Sequence, residues 1–205
     1  MSTGMKRAPG PRMVPSAIGR LASVIGVACL GLSACGGDNP VPTSPSGSLD
    51  DNRVKLEAVV TNRSGSCPNS TFRLGAIEVR TTSDTSFGLP CAQVLTGTPV
   101  EAVGPVITDG VLIAREVQRD DDALGDAEFE VRGPIASLSS SNDCTSTDGR
   151  SVSVLGLRFF AGSFFTRFME LPTGCAGLTS GLLLRAKGAL PPAQPLRAAE
   201  VERRQ

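Results

Sequence analysis

The sequence predicts an all-β protein with two tandem small β-barrel modules, each held by one disulfide, behind a signal peptide and a flexible tether. Three observations lead to this prediction. Short segments rich in β-branched residues alternate with breaks of Gly, Pro, Asn, Asp and Ser. Four cysteines follow the leader, and an internal repeat relates the two parts of the chain. The 205 residues suffice for one or two domains.

Residues 1–34 have the pattern of a signal peptide. The basic residues Lys6, Arg7, Arg12 and Arg20 precede an uncharged apolar run from Leu21 to Leu32. A membrane-spanning helix needs about 20 apolar residues, and this run is much shorter. We therefore interpret the run as the core of a signal peptide that directs export.

The apolar run ends in the segment LSAC, from Leu32 to Cys35. Small residues directly before a cysteine resemble the lipobox of bacterial lipoproteins. The resemblance implies cleavage before Cys35, attachment of lipid to its thiol and anchoring to the bacterial membrane. Gly36 follows where aspartate would signal inner-membrane retention, which favours the outer membrane, on its periplasmic or surface face. The alternative is ordinary secretory cleavage that leaves Cys35 as a free thiol.

Residues 35–51 are small, polar and rich in proline, and nothing in this segment can form a core. We interpret it as a flexible tether. From residue 35 onward there are 16 basic and 20 acidic residues. This acidic balance argues against nucleic acid as a partner, because nucleic-acid binding depends on neutralising phosphates.

A repeat organises the rest of the chain and its four cysteines. A shift of 84 residues superimposes Pro90–Gly104 on Gly174–Gly188, and smaller shifts superimpose the segments before them. The shift pairs Cys91 with Cys175 and Gly104 with Gly188, and Cys67 is paired with Cys144. The predicted organisation is a module at 52–118, an acidic linker at 119–126 and a second module at 127–203.

Cysteines in even number in an exported protein indicate disulfides, and four allow three pairings. Duplication favours the same bond in each copy, which predicts Cys67–Cys91 and Cys144–Cys175. Cross-links between the copies remain the alternative. Each module has about 70 residues, a size at which a disulfide adds needed stability.

The strand pattern of both copies predicts small barrels. In the first copy Ile77 and Val79 alternate with Glu78 and Arg80, which is the period of a half-buried strand. About five such segments occur in each copy, and closing them into a barrel would remove exposed edges. Short helical turns are expected at GLPCAQVLTG and its counterpart around Cys175.

In the first copy, the strand segments and the motifs TSF, VEAVG and GVLIAREV follow one another in a characteristic order. This order resembles the bacterial domain-of-unknown-function family numbered 5666, whose copies often occur in tandem. The matching residues are Thr85, Phe87, Leu95, Gly97, Val100, Glu101, Val103, Gly104, Gly110, Leu112, Ala114 and Val117. The second copy departs from the pattern, since Arg185 replaces the glutamate of VEAVG. The resemblance implies an OB-like β-barrel in each module. It brings no catalytic residues.

No residue pattern in the chain predicts catalysis, a metal site or a cofactor. Because the chain has no histidine, Ser-His and Cys-His nucleophiles are excluded. The repeated cysteines are better read as a structural framework than as reactive thiols. The acidic stretch RDDDALGDAEFE lacks EF-hand spacing, and a solvated linker is favoured over a calcium site.

The segment RFFAGSFFTRF contains five of the eight phenylalanines. Phe159 aligns with Val79, and Phe168 with Phe87, so both are expected inside the barrel. Three others align with Arg80, Asp84 and Thr85, which are polar, and are predicted to form a ligand patch. The members of this candidate patch are Phe160, Phe164 and Phe165. The alternative is that these rings belong to the core and a hairpin.

The resulting hypothesis is a lipid-anchored envelope protein that acts as a binding or structural module without catalysis. Its expected partners are the membrane, through the lipid on Cys35, and an envelope protein or glycan. One rival is a glycan hydrolase that uses two carboxylates about 5–10 Å apart. The other rival is an OB-type nucleic-acid binder, which the acidic charge opposes.

Overall fold

The computed structural model describes residues 52–120, 126–193 and 195–205. The predicted signal peptide, Cys35 and the tether lie outside this part of the chain, as does most of the predicted linker. The described residues form an all-β structure, as predicted, and the ordered elements are fifteen strands and three short 3₁₀ helices. None of the helical segments described is long and apolar enough to span a membrane.

Nine strands lie in the region predicted as the first module. They are β1 Arg53–Val59, β2 Thr61–Gly65, β3 Ser70–Leu74, β4 Ile77–Arg80, β5 Ser86–Phe87, β6 Pro99–Gly104, β7 Ile107–Thr108, β8 Val111–Ile113 and β9 Glu116–Arg119. A 3₁₀ helix, Cys91–Gln93, lies before β6.

Six strands lie in the region predicted as the second module. They are β10 Glu128–Leu138, β11 Arg150–Val154, β12 Leu157–Ala161, β13 Arg167–Met169, β14 Leu183–Ala189 and β15 Arg197–Arg203. The 3₁₀ helices Ser141–Thr145 and Gly174–Gly177 lie between them. The helices at Cys91 and Gly174 confirm the short helical turns expected beside two of the cysteines.

Alternation of apolar and polar residues places these strands with one face in the core. In β1, Val54 and Leu56 are fully buried while Lys55 and Glu57 point to the opposite face. In β4, Ile77 and Val79 are buried as predicted. β1 and β4 thus cover the core with their apolar sides.

The strands of the second region close into a small barrel. β10 pairs with β11 at one edge and with β14 at the other, and the ring continues through β12 and β15. β12 and β15 are parallel, whereas the other four pairings are antiparallel. This five-stranded closed barrel is OB-like, in agreement with the predicted fold.

The strands of the first region divide between two sheets. β1, β6, β9 and β5 extend the ten-stranded sheet that contains the barrel strands. β2, β3, β4, β8 and β7 form a separate five-stranded sheet. The strand number exceeds the ten expected for the two copies, because interruptions at Val60 and between β8 and β9 split long strands and because very short strands occur.

β1 and β10 join the two regions by antiparallel pairing, with Lys55 opposite Glu130 at the centre of the register. A continuous group of buried side chains fills the core on both sides of this pair. Phe129 and Phe159 belong to it, with ring centroids 5.8 Å apart. Phe159 is therefore inside, as predicted, while Phe168 is half-buried and packs against the core.

Candidate functional site

The cysteines form the two predicted disulfides, Cys67–Cys91 and Cys144–Cys175. The second bond is buried, whereas Cys67 is exposed. Cys144 also accepts a hydrogen bond at its carbonyl oxygen from the backbone N–H of Ser163, at 3.0 Å. The disulfide thereby supports the loop that carries Phe164 and Phe165.

The outer face of β11 and β12 carries the first of the three predicted patch residues. Phe160 projects from β12 on the side opposite to the buried Phe159, and it is half-buried. Its partners in register are Ser151 on β11 and Arg197 on β15. Barrel closure thus places a basic side chain beside the aromatic ring.

Arg197 connects Phe160 to the loop after β12. Its guanidinium carbon lies 5.1 Å from the centroid of the Phe165 ring, which is a cation–π contact. A terminal nitrogen of the same guanidinium lies 3.7 Å from a carboxylate oxygen of Asp148. Together with Pro195, the residues Asp148, Phe160 and Arg197 line a surface cavity of about 290 Å³. We call Phe160, Phe165, Arg197 and Asp148 the aromatic–arginine cluster.

Phe164 is the most exposed of the three predicted residues, with 74% of its surface accessible. Phe165, its neighbour, is half-buried under Arg197. The structure therefore brings Phe160 and Phe165 together around Arg197 and leaves Phe164 open to solvent. Exposed aromatic side chains are a common feature of binding surfaces, and Phe164 directly precedes a member of the cluster in the chain.

The alignment of Phe164 and Phe165 with Asp84 and Thr85 is wrong by one position, whereas Phe160 and Phe168 keep their predicted counterparts. The hydroxyl of Thr166 donates a 2.7 Å hydrogen bond to the carbonyl of Ala198, and Thr85 makes the same 2.7 Å bond to Ala114. Thr166 is thus the counterpart of Thr85, so Phe165 corresponds to Asp84 rather than to Thr85. The polar character of the first copy at this place is unchanged by the correction.

Gly149 allows the Phe165 ring to pack where it does. Its φ is +78°, and a Cβ atom there would lie 2.6 Å from Cζ of Phe165. A side chain at this position would therefore displace the ring and strain the backbone. The cluster depends on this glycine as well as on its aromatic members.

A second polar feature covers the outer face of the strands that join the two regions. Glu130 contacts the basic groups of Arg132, Arg185 and Lys187 at 2.6, 2.9 and 3.2 Å. Burial by itself would raise the pKa of this carboxyl, but the hydrogen bonds from these three side chains outweigh it and lower the pKa to about 2. Glu130 therefore stays ionised at neutral pH although its side chain is only 6% exposed.

Lys55 occupies the matching place on β1 with the opposite charge. Its ammonium nitrogen lies 2.7 Å from carboxylate oxygens of both Glu57 and Glu101. Burial lowers the pKa of Lys55, but the hydrogen bonds to Glu101 and Glu57 raise it above its ordinary value. The two carboxylates are thus bridged by a cation, and this arrangement lends no support to the hydrolase hypothesis.

The sequence interpretation missed two parts of these sites. Arg197 was not recognised as a partner of the phenylalanines, because it lies more than thirty residues further along the chain. The Glu130 network was also missed, although the replacement of the VEAVG glutamate by Arg185 was a visible signal. Glu101 on β6 contacts Lys55 on β1, and Arg185 on β14 contacts Glu130 on β10, so the two pairs occupy corresponding strands with the charges exchanged.

Within the described ranges, no three cysteine, aspartate or glutamate side chains are grouped as a metal site would require. No protein-family model, no curated protein and no solved structure matches the chain. The fold and the two clusters are therefore interpreted on their own geometry.

Proposed function

We propose that the chain is a lipid-anchored envelope protein built from two tandem OB-like modules, which binds an envelope glycan and performs no catalysis. The observation that carries the binding proposal is the aromatic–arginine cluster around its surface cavity, together with the exposed Phe164 that directly precedes Phe165 in the chain. In OB folds the face of strands 2 and 3, flanked by the loops 1–2 and 4–5, is the usual ligand face. β11 and β12 are strands 2 and 3 of the second barrel, and Asp148 and Pro195 belong to those two loops.

Equivalent contacts in the two regions support the tandem organisation. A Cβ atom at Gly104 would lie 2.6 Å from the carbonyl oxygen of Ile113, and one at Gly188 would lie 2.1 Å from that of Arg197. Both glycines are needed for the same close approach, and both pairs are related by the shift of 84 residues. The matched hydroxyl bonds of Thr85 and Thr166 point to the same duplication.

The strand pairings also repeat. In the second region the ring is β10, β11, β12, β15 and β14. The first region has the same cyclic order when β1 with β2, and β8 with β9, are each taken as one interrupted strand. The registers of β6 with β9 and of β14 with β15 agree at the shift of 84, since Ala102 faces Val117 and Ala186 faces Val201.

The cluster is chemically suited to a sugar ring. One side of a pyranose presents C–H groups that stack on an aromatic ring, and its rim presents hydroxyl groups that bond to charged side chains. Phe160 and Phe164 can supply the stacking face, while Asp148 and Arg197 can accept and donate the hydrogen bonds. A glycan of the cell envelope would be within reach of a protein anchored in the membrane by a tether.

The anchor proposal rests on the LSAC segment and predicts that Cys35→Ala abolishes lipid attachment. In a bacterial host supplied with labelled palmitate, we expect the full chain to incorporate label into the membrane fraction. The Cys35→Ala variant should incorporate none and should leave that fraction, because a thiol is needed for the lipid bond. Cys29→Ala, in the apolar run, is the matched control and should retain the label.

Phe164→Ala is expected to weaken glycan binding about tenfold or more while leaving the fold intact. Truncating an aromatic residue at the centre of a contact typically costs at least 1–2 kcal/mol of binding energy. The loss of an exposed side chain should alter the free energy of unfolding by less than about 0.5 kcal/mol. The measurement is co-sedimentation of the protein with purified cell-wall sacculi over a range of glycan concentrations.

Ile113→Ala provides the matched control for this measurement. Ile113 is 51% exposed and is the counterpart of Arg197 in the first region. Its replacement by alanine therefore removes exposed apolar surface at a place away from the cluster. We expect the Ile113→Ala variant to bind sacculi as tightly as the wild type does. Equal binding by Phe164→Ala and the wild type would contradict the proposed site.

A further inference from the structure

A cavity that we call the serine-lined cavity adjoins the aromatic–arginine cluster on the same face of the second barrel. Its volume is about 440 Å³. Four serines and one arginine dominate its lining, namely Ser137, Ser139, Ser151, Ser153 and Arg158. The cavity thus offers several hydroxyl groups and one positive charge within a small space.

The cavity and the cluster are continuous along β11 and β12. Ser153 is opposite Arg158 in the strand register, and Ser151 is opposite Phe160. Ser151 lines the serine-lined cavity and Phe160 lines the cavity of the aromatic–arginine cluster, so the two cavities meet at this pair. A ligand lying along this face would contact both.

Arg158 supplies the free positive charge of this surface. Its Nε donates a 2.8 Å hydrogen bond to the hydroxyl of Ser151, which fixes the guanidinium over the serines. This bond leaves the terminal amino groups able to meet a carboxylate in the planar arrangement that guanidinium groups favour. At the other end Arg197 is already close to Asp148, so the charge for an anion comes from Arg158.

The first barrel has the same face but not the same cavity. Its counterparts of Ser153, Arg158 and Phe160 are Arg73, Glu78 and Arg80. Arg80 contacts Glu78 at 3.3 Å, and Arg73 donates to the carbonyl oxygen of Ala76 at 2.6 Å. Long charged side chains that are already engaged in local bonds thus occupy the face that small serines leave open in the second barrel.

We propose that the serine-lined cavity is a second subsite for the same ligand and that this ligand is an acidic oligosaccharide. Arg158 binds the carboxylate of a uronic acid unit, the serines bond to its hydroxyl groups, and Phe160 stacks on the adjacent sugar. This inference rests on the glycan binding proposed above and adds the charge of the ligand. The first barrel lacks the subsite and serves as an internal control.

The test is isothermal titration of the full chain with an oligomer of galacturonic acid and with a neutral glucose oligomer of equal length. We expect the acidic oligomer to bind at least about tenfold more tightly, since bonds to charged groups are stronger than neutral ones. The preference should decrease as salt is added. Arg158→Gln should remove it, lowering the affinity for the acidic oligomer about tenfold or more without changing that for the neutral one.

Arg80→Gln, at the corresponding face of the first barrel, should leave both affinities unchanged. Circular dichroism of each variant checks that the fold is retained, and Arg158→Lys should keep part of the preference. Equal affinities for the two oligomers, or an Arg158→Gln variant that binds like the wild type, would overturn the acidic subsite while the proposed glycan binding stands. Failure of both oligomers to bind would overturn the acidic subsite, and failure of the wild type to co-sediment with sacculi would overturn the proposed glycan binding as well.

Discussion

Replacing Cys144 and Cys175 together by alanine is expected to lower the free energy of unfolding by about 3–4 kcal/mol. The two residues are separated by 31 positions, and closing a loop of this length restricts the unfolded chain by that amount in the chain-entropy model. The measurement is chemical denaturation of the full chain with its disulfides formed, followed by circular dichroism. The paired substitution avoids leaving a reactive thiol.

The double variant Cys67→Ala with Cys91→Ala is the matched comparison. Its cysteines are 24 positions apart, so the chain-entropy model gives it a loss of about 3–4 kcal/mol as well. The two variants differ in what they do to the proposed binding face, because the second bond supports the Phe164 loop through Ser163. We expect weakened glycan binding in the Cys144 and Cys175 variant alone. Equal stability of both variants and the wild type would contradict a structural role for the disulfides.

Glu130→Gln is expected to reduce stability at pH 7 by about 1–2 kcal/mol, a value that allows for screening by solvent. Removing the negative charge leaves Arg132, Arg185 and Lys187 facing one another without their common partner. Since breaking a network of this kind leaves uncompensated charge, the loss exceeds that for an ordinary surface pair. The measurement is denaturant unfolding at neutral pH.

The same residue produces a defined dependence of stability on pH. The folded-state pKa of Glu130, about 2, lies below the ordinary value of 4.5. Its contribution is therefore fully present above about pH 4.5 and is lost as the pH falls through about 2. We expect the stability of the wild type to decline over this range more steeply than that of Glu130→Gln. Glu116→Gln, an exposed change on the same sheet face, should follow the wild type.

If the wild type and Glu130→Gln lost stability in parallel over this range, the pKa of Glu130 would be the same in the folded and the unfolded chain. An equal loss of stability at pH 7 in Glu116→Gln and Glu130→Gln would instead assign the effect to general surface charge. The two results separate a specific network from net charge. Both use the full chain and the same denaturation measurement.

Local pattern accounts for the parts of the fold that sequence reasoning predicted correctly. The alternation in β1 and β4 is visible in a few adjacent residues, because successive side chains of a strand point to opposite faces. The disulfide pairing was predictable for a different reason. The repeat made one cysteine pair the copy of the other, which reduced three pairings to one favoured choice.

The one-position error at Phe165 has a physical cause. The shift between the two regions changes by one residue between Phe160 and Thr166, and nothing in the residue pattern marks where the extra residue lies. The bonds of Thr85 and Thr166 to Ala114 and Ala198 reveal the equivalence.

The alternating strand segments, the two cysteine pairs and the phenylalanine-rich segment could all be predicted from the residue pattern. The contact of Arg197 with Phe165, the proximity of Asp148 to Arg197 and the serine-lined cavity beside them emerge only from the packing of the barrel. The reason is that barrel closure sets the parallel register of β12 with β15 and brings together loops that are distant in the chain. Contacts of this kind depend on how whole strands pack, and no local pattern of residues contains that information.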